Sequence, residues 1–116
     1  METAAALVLY DEDCRLCRAT AGMLERRGVT VAGIGSDSGA RWLRDLDPRA
    51  RYAEFHAVDR VGRRRSGGDA VPLVLEALPY GRLPASMARR LPRLTALGYE
   101  LISRNRSVLA RVAGLR

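Results

Sequence analysis

Ala4-Ala5-Ala6-Leu7-Val8-Leu9-Tyr10 runs without a break into Asp11-Glu12-Asp13-Cys14-Arg15-Leu16-Cys17, and this junction decides how the rest of the chain is read. A short apolar run stopped by charge is the pattern of a buried strand. Beyond it, Leu16, Ala19, Thr20, Met23 and Leu24 recur at helical spacing, with Arg15, Arg18 and Arg26 on other faces. Asp13 is the expected N-cap of that helix and Gly28, after Arg26 and Arg27, its stop. The only two cysteines of the chain therefore stand where a strand hands over to a helix. Two thiols two residues apart can close a small disulfide ring and reopen it, and a helix N-terminus favours the thiolate that such exchange requires.

Residues 29–34 are β-branched and apolar, which predicts a second strand. A loop of Gly, Ser and Asp leads to a helix through Trp42, Leu43 and Leu46 that Asp47-Pro48 should end. Two short strands are expected over 53–58 and 61–65, joined by a turn at 59–62. Ser66-Gly67-Gly68-Asp69 then introduces a helix with Val71, Val74, Leu75 and Leu78 on its buried stripe, closed by Pro79-Tyr80-Gly81. From Pro84 onward the pattern is helical, interrupted near Pro92, with Leu94, Leu97, Leu101, Val108 and Val112 near heptad spacing and expected to pack on the sheet. The order is an α/β arrangement, β-α-β-α-β-β-α, followed by a C-terminal helical extension. It predicts one parallel strand pair and one late hairpin, and it matches a thioredoxin-like sheet. The chain is read as a single domain, with sheet and helices over 1–81 and a basic helical extension over 82–116 packed on them.

Composition limits the alternatives. A chain of 116 residues with 47% apolar content suits one globular core. A ring between residues two apart constrains little of the unfolded chain, so the cysteine pair is chemical rather than structural. No stretch approaches the ~20 apolar residues of a membrane span, and the amino terminus lacks the basic start of a secretory signal. The expected setting is cytoplasmic, where the thiols stay reduced. The net charge of +7 sits wholly in residues 82–116, which hold eight arginines against Glu100 alone; residues 1–81 balance twelve arginines with twelve acids. All twenty basic residues are arginine, the mark of a coding bias more than of a phosphate-binding role, and no specific nucleic-acid partner is expected.

Tyr10-Asp11-Glu12-Asp13-Cys14-Arg15-Leu16-Cys17 resembles the signature of the DCC family of thiol-disulfide oxidoreductases, named for Asp-Cys-x-x-Cys. Ser66-Gly67-Gly68-Asp69-Ala70 resembles that family's Gly-rich approach to its third helix. Leu91-Pro92, Tyr99 and Arg104-Asn105-Arg106 resemble its C-terminal pattern. The resemblance spans nearly the whole chain and implies a thioredoxin-like fold with a CxxC redox activity; no cofactor is expected, and the expected partner is an unidentified protein or a low-molecular-weight thiol or disulfide.

Read as chemistry, Cys14 is the nucleophile at the helix start and Cys17, one turn inward, the resolving thiol. Asp11 and Asp13 are candidates for holding or relaying the proton of the resolving cysteine, beside the simpler roles of capping the turn and the helix. Arg15 can favour a thiolate or meet substrate. Gly67, Gly68 and Asp69 form a helix-opening turn of the kind that binds carboxylates, or only an N-capped turn. Metal binding competes: two thiolates are half a zinc site, but the sole histidine, His56, has no partner motif and reads as a core or surface residue. Soft Cu(I) needs only two thiolates, yet small copper chaperones carry Met-x-Cys-x-x-Cys where this chain has Glu12. No metal site is assigned. The chain also departs from thioredoxins in lacking a proline before its third strand; Pro48 is too early, and Ala53 or Glu54 stands in that place. Trp42 and Tyr80 are read as packing residues. A reading from another class is a non-catalytic adaptor that binds an acidic partner or membrane surface through the arginine-rich C-terminal helix. In every case Arg89, Arg90, Arg93, Arg104, Arg106 and Arg111 are expected in solvent.

Overall fold

A computed structural model describes residues 4–79 and 81–114; Tyr80 lies outside them. Strand β1, Ala5–Tyr10, is central in a four-stranded sheet of order β2-β1-β3-β4. It pairs parallel with β2, Val31–Gly33, and antiparallel with β3, His56–Asp59, which pairs antiparallel with β4, Arg64–Ser66. The parallel pair and the late hairpin are both as expected. A bulge between Ala5 and Leu7 opposite β3 sets Ala5 and Val8 on one face despite their odd spacing.

Helices cover both faces. Ala5, Val8 and Ala57 pack with Leu24 of α1, Arg15–Arg26, and Leu73 of α4, Val71–Ala77. On the other face Leu9 and Ile34 pack with Leu43, next to Trp42 at the end of α2, Asp37–Trp42, and Tyr52 of α3, Pro48–Ala53. Trp42 is thus a packing residue, and the Arg41 guanidinium stacks over its ring at 5.4 Å. The result is a mixed α/β fold compatible with the thioredoxin-like expectation.

Several sequence expectations need correction. Asp47-Pro48 does not close the helical region; Asp47 accepts the Ala50 N–H at 2.8 Å and Pro48 takes the first position of α3. This helix consumes the start of the expected third strand, so β3 begins at His56, and β4 lies later than 61–65. No proline precedes β3, and the residue in that place is Phe55. A 3-10 turn, Gly67–Ala70, leads into α4. The C-terminal region forms α5, Arg82–Arg90, α6, Pro92–Arg104, and α7, Arg106–Val112. Its heptad-like residues do not pack on the sheet: Leu94, Leu97, Leu101, Val108 and Val112 are all exposed. Helix α6 instead half-buries Tyr99 and Ser103, with the Ala96 backbone against Gly68 and the Tyr99 ring 5.5 Å from Phe55, and α7 lies on α1.

Candidate active site

The loop between β1 and α1 is held by its own carboxylates. Asp11 Oδ1 accepts the Asp13 N–H at 2.9 Å, and the Asp11 carbonyl accepts the Cys14 N–H at 3.2 Å, which makes Asp11 the cap of the turn. Glu12 reaches across the sheet, accepting the Gly35 N–H at 2.9 Å and the Tyr52 hydroxyl at 2.8 Å. It is a tether between the loops, a role its sequence neighbourhood does not announce.

The helix cap is not Asp13, which is exposed. Cys14 occupies the N-cap position, with extended backbone, and its Sγ accepts the Cys17 N–H at 3.3 Å. Sulfur thus takes the place an Asp or Ser oxygen usually fills, so charge on Cys14 would meet one of the unpaired amides at the helix start. Cys17 is half-buried one turn on. Burial, helped by the hydrogen-bonding and charge of the adjoining Cys14, pushes its thiol up to about 11, while Arg106 opposes the rise.

Arg106 is the residue the sequence reading misplaced. Rather than lying in solvent, its guanidinium Nη1 stands 3.8 Å from Cys17 Sγ and 3.8 Å from the Asp11 carboxylate. The contact joins positions 89 residues apart. A signal existed: Arg106, Leu109 and Ala110 share one face of α7 at i, i+3, i+4, and Ala110 is buried. Arg104, in contrast, is exposed and pairs with Glu100 at 2.6 Å, and Arg89 pairs with Glu76.

The two thiols face different surroundings. Cys17 lines an apolar pocket of about 220 Å³ formed by Leu16, Ala21, Phe55, Tyr99 and Ile102 among others. Cys14 lines a more open, polar pocket of about 280 Å³ with Asp13, Arg15 and Ser107. Asp11, Leu16 and Arg106 belong to both walls. The Phe55 N–H donates to the Tyr99 hydroxyl at 3.3 Å, fixing α6 against the entry to β3 beside the apolar pocket.

Of the sequence candidates, the structure brings Cys14, Cys17, Asp11, Asp13 and Arg15 together. It does not bring the Gly67-Gly68-Asp69 turn to them. Gly67 is buried with φ +57°, next to Glu54 and Tyr99, and a Cβ on Gly68 would lie 3.0 Å from the Ala96 backbone. None of the three residues lines either cysteine pocket. His56 is buried as a satisfied core residue, with Ser66 Oγ 2.6 Å from Nδ1 and the Arg51 carbonyl 2.8 Å from Nε2; burial lowers its pKa. Among the described residues no group of three or more His, Cys, Asp or Glu is arranged to hold a metal ion. No helix among them is long and apolar enough to cross a membrane.

The arrangement suits exchange between sulfurs: a partly accessible sulfur at a helix cap, a second sulfur one turn away, and a cation against the second. No curated protein and no solved structure matches the chain. The sequence profile of the DCC1-like thiol-disulfide oxidoreductases matches residues 8–112, from β1 through the last helix, and by that match the chain belongs to this family.

Proposed function

We propose that this protein is a thiol–disulfide oxidoreductase of thioredoxin-like fold in which Cys14 attacks and Cys17 resolves. In the reduced protein the Cys14 thiolate attacks one sulfur of a substrate disulfide. A Cys14–substrate S–S bond forms as the substrate's own S–S bond breaks, and the departing thiolate takes up a proton. Cys17 then gives up its proton and attacks Cys14 Sγ, which closes the Cys14–Cys17 disulfide and releases the second substrate thiol. The protein dithiol loses two electrons and the substrate disulfide gains them. A low-molecular-weight thiol or a protein dithiol restores the reduced form by the reverse sequence.

The observation that carries this reading is the asymmetry of the pair. Cys14 Sγ accepts the amide at the helix start, whereas Cys17 sits against Arg106 and is held protonated by burial. Arg106 is a positioning residue in this scheme: it offers charge to Cys17 as that thiol ionises, and Asp11 orients it or accepts the released proton. Asp13 and Arg15, in the polar pocket around Cys14, are where substrate would meet the protein. A chain whose only cysteines form one exchange pair suits a reducing, cytoplasmic compartment.

The test is rapid alkylation and mass spectrometry across a graded thiol redox buffer. An intramolecular Cys14–Cys17 disulfide should form under mild oxidation and reopen as the buffer becomes reducing. Persistence of two free thiols, or only intermolecular dimers, would remove the proposal.

A further inference from the structure

Among the described residues, nine of the ten exposed large apolar side chains lie between Leu83 and Val112. The same segment carries six arginines against Glu100 alone, five of the seven net positive charges of the chain. Each of its helices is two-faced. In α6, Tyr99 and Ser103 are half-buried against the body of the protein, while Leu94, Leu97 and Leu101, on the opposite side, are 51–62% exposed. In α5 Ala85 is buried and Leu83 and Met87 are exposed; in α7 Ala110 is buried and Val108 and Val112 are exposed. Monomeric proteins rarely leave so many large aliphatic side chains of one segment in water.

Charge limits what covers this surface. Arg82, Arg90, Arg93 and Arg111 are exposed and have no carboxylate partner among the described residues, and the segment's one acid, Glu100, is taken by Arg104. A second copy of the chain would bring the same cations to the same face. Nucleic acid would satisfy the arginines but leave the leucines in water. The exposed leucines and valines line neither of the pockets that hold Cys14 and Cys17, so a protein segment seated at the thiols would leave them uncovered. A fluid anionic surface answers both features, taking aliphatic side chains into its acyl boundary and arginines at its headgroups. We propose that α5–α7 form a docking surface for anionic phospholipid membranes, on which the protein lies without spanning. The proposal is independent of the redox chemistry and also predicts where it happens: Cys14 and Cys17 lie beside Arg106 on the inner face of α7, so the reaction proceeds at a membrane surface.

The test is flotation of the full chain with vesicles of one-third phosphatidylserine in phosphatidylcholine, against vesicles of phosphatidylcholine alone. Binding is expected to the first, at least tenfold weaker to the second, and weaker as salt rises. Two variants separate the contributions: Leu94→Ser with Leu97→Ser and Leu101→Ser, and Arg90→Gln with Arg93→Gln and Arg111→Gln. All six side chains are exposed, so an unchanged melting curve is expected of both. Each arginine removed should weaken binding roughly fivefold, and loss of the leucines should abolish it. No binding to anionic vesicles, or binding that survives loss of the leucines, overturns the proposal; the latter is mere charge adsorption. So does a dimer in sedimentation that the leucine variant dissolves while vesicles remain unbound, which would make the face an interface between copies.

Discussion

Replacing Arg106 by Gln isolates the cation that faces the resolving thiol. Two unit charges 3.8 Å apart, the Arg106–Cys17 separation, interact by about 4 kcal/mol at an effective dielectric of about 20. The guanidinium is 34% exposed and shares its charge with Asp11, so solvent and the carboxylate screen that figure to about 1–1.5 kcal/mol. This is about one pKa unit on Cys17. The thiolate fraction at neutral pH then falls about tenfold, but a more basic thiolate is more nucleophilic, which returns a factor of about three. The net expectation is resolution roughly three- to fourfold slower, with its pH profile displaced upward by about one unit. Stopped-flow mixing with an aromatic chromogenic disulfide reads both steps: the first release of chromophore reports attack by Cys14, the second reports resolution by Cys17. Arg106→Gln should slow the second phase more than the first, and Arg106→Lys should recover most of the loss. A second phase with unchanged rate and unshifted pH profile in Arg106→Gln would refute the assignment, and equal slowing of both phases would reduce Arg106 to a structural support for α7.

Further outcomes follow from the same geometry. Cys14→Ser should abolish exchange, whereas Cys17→Ser should accumulate a stable mixed disulfide on Cys14, visible as an adduct in intact mass spectra; adducts on Cys17 in the first variant would reverse the roles. Because burial depresses the folded pKa of His56 below its usual 6.5, the unfolded chain binds more protons there, so its contribution to stability is complete above about pH 6.5 and is lost as pH falls toward the folded pKa. Thermal melts should therefore decline from pH 7 to 5, with a shallower decline in His56→Asn. Glu12→Ala removes the acceptor of Gly35 and Tyr52 and should cost about 1–3 kcal/mol, read by urea titration, with a free-energy change near zero contradicting its role as a tether.

What could be read from the sequence is what local physics encodes. The β1–loop–α1 unit follows from an apolar run, a charged stop, helical periodicity and Gly28, whose φ of +88° suits the end of a helix. The parallel pair and the hairpin follow from element order. Asp47-Pro48 misleads because proline is compatible with both the residue after one helix and the first residue of another; the Asp47 carboxylate capping Ala50 decides it, and that bond is invisible in composition. Leu94, Leu97 and Leu101 show that periodicity reveals a helix with an apolar stripe but not whether anything lies against it. Ala96 and Tyr99, less apolar in pattern, won the contact because the small residue fits beside Gly68 and the ring reaches Phe55. For Arg106 the face it shares with Leu109 and Ala110 could be read locally, but its partners could not, because they are brought to it only when α7 settles on α1.

The pair of thiols makes physical sense only as an ordered pair. Were both sulfurs ionised together, two negative charges one helical turn apart would repel, and the dithiol would lose control of which sulfur attacks first. Burial of Cys17 removes that conflict by keeping its proton on through neutral pH. In the proposed mechanism the same burial slows the resolving step, and Arg106, from outside the local motif, is the cation that opposes it. When a substrate sulfur bonds to Cys14, the charge and the acceptor role of that residue disappear, and with them one cause of the high Cys17 pKa. In the proposed mechanism, formation of the mixed disulfide therefore lowers the barrier to its own resolution, and the order of attack follows from the burial difference between two residues of one helical turn.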